Sequence, residues 1–160
     1  KKEYNKKSNP ISVLGISCFT GAGDLKETMA RINNREKCTG LLDRTEISKN
    51  FSPREARRLK RLSRLVLSLS IDAQEHSGLE KGPHSIYLGT GWGALTETND
   101  FLSKLFETNE QFVSPTDFVG SVHNSPAGQA AIKFNSKGPN ITTTGGDYSF
   151  EQALLSASLQ

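Results

Sequence analysis

A helical segment over residues 52–76 constrains the fold more than any other feature of the sequence. It opens with Ser-Pro-Arg-Glu, which is typical of a helix start because Ser caps the first turn, Pro suits the first helical position and an acid favours the positive end of the helix. Apolar residues then recur at helical spacing until Gly78 ends the pattern, and the spacing permits a break or bend on the way. From Leu65 onward, apolar and small residues cover most sides, so we expect a central, buried helix.

Short apolar runs alternate with helical patterns along the rest of the chain. Strand patterns occur at residues 11–16, 85–89 and 140–144. Helical patterns occur at residues 24–33, 94–107, 125–134 and 150–159, and residues 34–50 read as a polar connection. This alternation predicts a layered α/β domain. We expect residues 11–160 to form that domain and the Lys- and Asn-rich residues 1–10 to be mobile.

Composition excludes several classes of protein. The chain has 160 residues, a net charge of +3 and only two cysteines, Cys18 and Cys38. Two cysteines are too few for a disulfide framework, and the sequence has no Cys/His cluster, so we expect no metal and no cofactor. No apolar run approaches the ~18 residues of a membrane span, and a secretory leader pattern is missing. We therefore expect a cytoplasmic protein with no membrane partner.

The charges are unevenly distributed. Residues 1–64 carry 16 Lys or Arg against 7 Asp or Glu, whereas residues 65–160 carry 4 against 10. Three arginines, Arg54, Arg57 and Arg58, share one helix face at the start of the long helical segment. This face is either a solvated surface or a docking surface for an acidic partner. The sequence lacks interleaved aromatics and any recognisable nucleic-acid module, so a nucleic-acid partner is not expected.

Two other motifs have structural interpretations. The glycine-rich run at residues 89–93 lacks the Lys-Ser/Thr of a phosphate loop and the G-x-G-x-x-G spacing, so it indicates a tight strand-to-helix turn. The three histidines, His76, His84 and His123, are isolated, without the spacing of a metal site or a catalytic triad.

Four segments carry a family resemblance: ISVLGISCFTGAGDLKETMARI, SPREARRLKRLSRLVLSLSIDAQEHSGL, IYLGTGWGAL and SPTDFVGSVHNSPAGQAAIKFNSKGPNITTTGG. The last contains the run F-x-x-S-V-x-N-x-x-A-G-x-x-A-I followed by G-P-x-x-T. Together they resemble the N-terminal half of the β-ketoacyl synthases, members of the thiolase-like superfamily, over residues 11–160. The resemblance implies the N-terminal half of a thiolase-like layered fold, with a mixed sheet packed between helices.

The resemblance also implies where a nucleophile would lie. Active ketosynthases have a Cys eight residues beyond the Pro of the G-P motif, at a helix N-terminus that stabilises a thiolate. In this sequence that position is Asp147, eight residues after Pro139. The family's two catalytic histidines belong to the C-terminal half, beyond this sequence. We therefore expect no catalytic residue in this chain and a structural role for Asp147.

Three further features follow from the resemblance. Arg54, Arg57 and Arg58 match basic residues that dock acyl carrier protein in the family. Trp92 replaces a small aliphatic residue of the acyl tunnel, and a Trp would either block such a tunnel or pack in the core. The strand that pairs across the dimer two-fold corresponds to Asn140, Ile141, Thr142, Thr143 and Thr144.

The leading hypothesis is a non-catalytic partner of the chain-length-factor type in fatty-acid or polyketide biosynthesis. It would associate with an active ketosynthase or a second copy of itself, and with acyl carrier protein. Two alternatives remain open: a 3-oxoacyl-carrier-protein synthase or malonyl-decarboxylating enzyme whose catalytic C-terminal half is missing here, and an interaction module with no acyl chemistry. In each case we expect half a fold, with one face covered by further residues or a second chain.

Overall fold

A computed structural model of the chain describes residues 11–111 and 114–160. The segment predicted to be mobile, residues 1–10, lies outside the described residues. The regular elements are α1 (Leu25–Asn33), α2 (Pro53–Arg58), α3 (Arg61–Ser77), β1 (Ile86–Thr90), α4 (Leu95–Glu107), α5 (Pro115–Ser121), α6 (Ser125–Phe134), β2 (Asn140–Thr144) and α7 (Ser149–Ser158). Two 3-10 turns, Glu46–Ser48 and Gly146–Tyr148, complete the described elements.

The long helical segment is two helices. Leu59 and Lys60 adopt extended backbone with ψ of 130° and 164°, which ends α2 and lets α3 begin in a new direction. The central position expected for the second half is confirmed, since α3 packs against α6 and the 3-10 turn at Glu46–Ser48. Every position from Leu62 to Gln74 is at least half-buried, but only Ser63, Leu67 and Ser68 are fully buried.

Local caps define several helix starts as predicted. Asp24 caps α1 by accepting a hydrogen bond from the Glu27 amide at 3.1 Å. A reciprocal capping box closes α2, because the Ser52 hydroxyl accepts from the Glu55 amide and the Glu55 carboxylate accepts from the Ser52 amide. The predicted bounds of α6 are confirmed, and those of α4 and α7 hold to within one residue. Helix α5 was not predicted.

The sheet consists of β1 and β2, paired in parallel with Ile86 opposite Asn140 and Thr90 opposite Thr144. Both α6 and α7 pack against these strands, which confirms the layered α/β architecture. The strand predicted at residues 11–16 is wrong, because this segment has no strand partner among the described residues. Its side chains are exposed, with Val13 at 76%. An apolar run becomes a strand only where a neighbour supplies the ladder.

The core is small and rich in alanine. The buried apolar residues are Ile47, Leu67, Ala94, Ala127, Ala130 and Ala153. Ile47 is fully buried although it lies in the segment read as a polar connection, because the 3-10 turn places it against α3. Many large apolar side chains are exposed, so the described residues bury only part of their apolar surface. In the part of the chain that the structure describes, no helix is long and apolar enough to cross a membrane.

Candidate functional site

The two parallel strands bring two glycine turns to one edge of the sheet. Parallel strands end on the same side, so the turn after β1, Gly91–Gly93, lies beside the turn after β2, which contains Asp147. A β-carbon placed on Gly91 would stand 3.7 Å from the carbonyl oxygen of Gly146. Carboxyl ends of strands are where α/β proteins build sites, and the resemblance predicts the nucleophile position, Asp147, at this edge.

Ser149 holds this edge together. Its buried Oγ accepts a hydrogen bond from the Gly145 amide at 3.0 Å. The same Oγ lies 2.8 Å from the Thr90 carbonyl oxygen and 2.6 Å from the Gly146 carbonyl oxygen. Its single proton can be donated to only one of these oxygens at a time. The Thr143 hydroxyl donates to the Ser149 carbonyl at 3.2 Å. One residue therefore links the end of each strand to the start of α7.

A close approach of two backbones completes this junction. A β-carbon at Gly89 in β1 would overlap the carbonyl oxygen and carbon of Ser149, so only glycine allows α7 to begin against the strand. Gly146 has a φ of 58°, which also favours glycine. The turn is shaped by these contacts and not by the side chain of Asp147.

Asp147 itself is exposed in the 3-10 turn directly before α7. Its carboxylate forms no hydrogen bond with any described residue, although a negative charge is favourable at this helix end. The cap of α7 has no side-chain hydrogen bond either. The structural role expected for Asp147 is therefore carried out by Ser149, which sequence reasoning missed.

In the residues that the structure describes, neither cysteine contacts the turn that contains Asp147. Cys38 directs its Sγ toward the Thr28 carbonyl at 3.8 Å, and Cys18 follows the extended segment at residues 11–16. Asp147 forms no ion pair or hydrogen bond with a histidine within residues 11–111 and 114–160. No group of three or more His, Cys, Asp or Glu that could hold a metal ion occurs among the residues searched.

The histidines instead contact the backbone or a neighbour. The Nδ1 of His76 lies 3.1 Å from the Ile16 amide, and that of His84 lies 3.1 Å from the Ser85 hydroxyl. His123 accepts a hydrogen bond from the Ala94 amide. These contacts agree with the structural interpretation of all three.

Trp92 lies at the tip of the turn after β1 with 78% of its surface exposed. The alternative that Trp92 packs in the core is wrong for the described residues, because they leave most of its side chain exposed. The blocked acyl tunnel stays a prediction, and so does the dimer strand at β2.

The basic residues lie together on α2. Arg54, Arg57 and Arg58 are exposed, and none forms an ion pair with a described residue. Hydrogen bonds from the side chain and then the backbone of Ser52 lower the pKa of the nearby Glu55 carboxyl. Because Glu55 is held by the cap, the guanidinium groups remain available to a partner. Arg58 also borders a groove of about 210 Å³ between α2, α3 and α6.

Two contacts of the helices were not predicted. Glu97 of α4 is buried, with 8% of its surface exposed, and its Oε1 accepts from the Leu62 amide at 3.2 Å. Asp117 of α5 contacts Lys60 at 2.5 Å and Lys104 at 2.9 Å. Hydrogen bonds from Lys60 and then Lys104 lower the pKa of Asp117. No local pattern links partners so distant in sequence.

A comparison with known protein families identifies the family of this chain. Residues 40–160 match the family described as beta-ketoacyl synthase, N-terminal domain. The chain belongs to this family. The resemblance stated from the sequence is confirmed, and with it the thiolase-like fold class.

Solved structures of this fold agree with the family. The chain is 25% identical to a chain in the structure of the ishigamide ketosynthase/chain length factor, with a TM-score of 0.76, covering 91% of this chain and 47% of that one. A second similarity is to the ketosynthase ApeO in complex with its chain length factor ApeC from Xenorhabdus doucetiae, at 23% identity and a TM-score of 0.67, covering 89% and 57%. This chain thus spans about half the length of both. No curated protein matches this sequence.

Proposed function

We propose that this chain is a non-catalytic, chain-length-factor-type partner of an active ketosynthase in fatty-acid or polyketide-type biosynthesis. The observation that supports this proposal most directly is Asp147, a carboxylate at the position where the family resemblance predicts the nucleophilic cysteine, in the turn between β2 and α7. A carboxylate is a poor acyl acceptor in thioester exchange, so the turn keeps its geometry without its chemistry. We assign the protein to the cytoplasm, where carrier-bound acyl chains are assembled.

The partner surface we assign is the outer edge of β2. Within the described residues β2 pairs only with β1, so the ladder groups on its other edge are open to another strand. Ile141 on this strand is 37% exposed and offers apolar contact. The preferred partner is an active ketosynthase, with a second copy of this chain as the competing outcome. The similarity to ketosynthase/chain length factor structures supports this assignment.

The acidic partner we assign to Arg54, Arg57 and Arg58 is acyl carrier protein. None of the three guanidinium groups forms an ion pair with a carboxylate among the described residues, so an acidic surface docked here would supply the opposite charge. Trp92 is proposed to narrow the acyl tunnel of the assembled pair, since its indole is free to meet a second surface.

Purified protein incubated with acyl- and malonyl-loaded carrier protein tests the absence of catalysis. We expect no condensation product from the protein alone, and condensation unaided would overturn the proposal. Release of carbon dioxide alone would favour the malonyl-decarboxylating alternative. Affinity purification from the native cell should recover a ketosynthase, and recovery of neither a ketosynthase nor a carrier protein would favour a plain interaction module.

A cysteine scan tests whether the nucleophile turn persists. We expect the thiol of Asp147→Cys to react with iodoacetamide at neutral pH at least several-fold faster than that of Ser103→Cys, which lies inside α4. Both positions are exposed, but the helix N-terminus favours the thiolate at the first. Equal rates would show that the turn lacks the geometry of a nucleophile site. Cys18→Ser and Cys38→Ser in both variants remove background labelling.

A further inference from the structure

Two hydrogen bonds hold the turn Gly91–Gly93, which carries Trp92. One is made by the last residue of the turn and the other by the residue that follows it. The Thr90 hydroxyl accepts from the Gly93 amide at 3.1 Å. The Nδ1 of His123 accepts from the Ala94 amide, also at 3.1 Å, although His123 lies 29 positions later. Ala94 is the N-cap residue of α4, whose start has no side-chain capping bond, and His123 instead fixes this end of the helix by bonding the Ala94 amide.

The imidazole ring of His123 lies directly against this turn, although the residue is exposed to solvent. Gly93 has a φ of 62°, and a β-carbon there would overlap the ring atoms of His123. The ring thus fills the space that a side chain at Gly93 would need. The Thr98 hydroxyl, which lies 2.8 Å from both the Ala94 and the Ser121 carbonyl oxygens, links the start of α4 to the end of α5 just before His123.

We propose that His123 is a protonation-sensitive positioning residue that fixes the Trp92 turn when neutral and releases it when protonated. Nδ1 can accept the Ala94 amide only while it carries no proton. An imidazolium would lose that bond and place positive charge at the N-terminus of α4, a helix of 13 residues, where the helix dipole repels it. Both effects favour opening of the turn in acid.

Five charged residues lie on the elements next to His123 in the fold: Glu97 and Asp100 in the first two turns of α4, Asp117 on α5, Lys133 on α6 and Asp147 in the turn after β2. Glu97 is bonded to the Leu62 amide, and Asp117 to Lys60 and Lys104. None of the five forms an ion pair or hydrogen bond with His123 in the described part of the chain. The hydrogen bond to Ala94 is therefore the contact through which protonation of His123 acts.

Fluorescence of Trp92, the only tryptophan of this sequence, tests the proposal. The full chain is titrated from about pH 8 to about pH 5, the range in which histidine changes charge, with Trp92→Phe subtracted as background. We expect a reversible shift in Trp92 emission with unchanged far-ultraviolet circular dichroism. His123→Gln, which accepts through an amide oxygen but does not titrate, should remove that shift. His123→Ala should show the acid emission already at about pH 8.

Two results would overturn the proposal: Trp92 emission that does not change over this range, or a pH-dependent shift retained in full by His123→Gln. His76→Gln and His84→Gln serve as matched controls and should keep the wild-type shift, because these residues contact other segments. The fluorescence measurement needs neither a ketosynthase partner nor carrier protein, so it tests this proposal independently of the proposed function.

Discussion

Helices α2 and α3 begin eight residues apart, yet their first turns are closed in different ways. Ser52 and Glu55 satisfy the start of α2 within the same four residues. Lys60, at the start of α3, provides no cap, and the Leu62 amide is bonded by Glu97, 35 positions away on α4. One helix start is therefore capped by neighbouring residues, whereas the side-chain bond at the other requires Glu97 of α4 to be in place.

The difference extends to the proposed site. His123 closes α4 from a distance of 29 positions, and Ser149 joins α7 to the end of β1 from 59 positions away. The elements that form the candidate site thus depend on remote contacts, while α1 and α2 do not. Changes at remote contacts should therefore be costlier than changes at local caps.

The largest effect is expected from Gly89→Ala. Its methyl group would overlap the Ser149 carbonyl, which belongs to backbone and cannot move alone, so we expect a loss of about 2–3 kcal/mol in the free energy of unfolding. Urea denaturation followed by circular dichroism measures this. Gly128→Ala in α6 is the matched control, because no atom lies within 4 Å of its added methyl group and helix propensity favours Ala. A loss in Gly128→Ala as large as that in Gly89→Ala would contradict the prediction.

The second-largest loss of stability is expected from removing the remote cap of α3. Glu97→Ala leaves the Leu62 amide without its acceptor, and we expect a loss of about 1–3 kcal/mol on urea denaturation. Glu97→Gln keeps an acceptor oxygen and should lose less. If both variants unfold at the same urea concentration as the wild type, the remote cap is not stabilising.

The third-largest loss of stability is expected from removing the local cap of α2. Ser52→Ala removes the hydroxyl of the capping box, and we expect a loss of about 1 kcal/mol. Ser103→Ala, at an exposed position inside α4, is the control and should change stability by less than about 0.5 kcal/mol. A loss in Ser52→Ala that exceeded the loss in Glu97→Ala would reverse the comparison of local and remote caps.

The smallest effect is expected at Asp117, and it depends on pH. Lys60 and Lys104 lower the pKa of Asp117 in the folded chain. The contribution of Asp117 to the free energy of unfolding is therefore fully present above its unfolded pKa of about 3.9, and it is lost as the pH falls through its folded pKa. Both lysines are more than a third exposed, so we expect less than about 1 kcal/mol. Urea denaturation should therefore separate wild type from Asp117→Asn at about pH 6 but less at about pH 3. A difference that grew in acid would contradict the assignment.

Much of the fold could be predicted because its signals are local. Asp24, Ser52 and the Ser-Pro pair at the start of α6 mark helix starts within a few residues, and residues 140–144 form the predicted strand. The family pattern around Pro139 also placed Asp147 correctly at the turn before α7. Each of these features needs only neighbouring residues or a short motif.

Other features could not be read from the sequence because a distant residue decides them. Residues 11–16 have the composition of a strand but lack a strand neighbour in the described residues. Ile47 stands in a polar stretch and becomes buried only against α3. Trp92 has the residue type of a core side chain, yet its turn leaves it exposed.

The sequence by itself determined the family, the local helix caps and two strands. The loss of the nucleophile at Asp147 stays a prediction from the family resemblance. Only the tertiary structure decided that these strands pair in parallel, that Ser149 shapes the turn after β2, that Glu97 caps α3 and that His123 bonds the residue after the Trp92 turn. The physical reason is the same in the last three cases. A backbone amide left unpaired at a helix or turn requires an acceptor, but it does not specify where along the chain that acceptor lies.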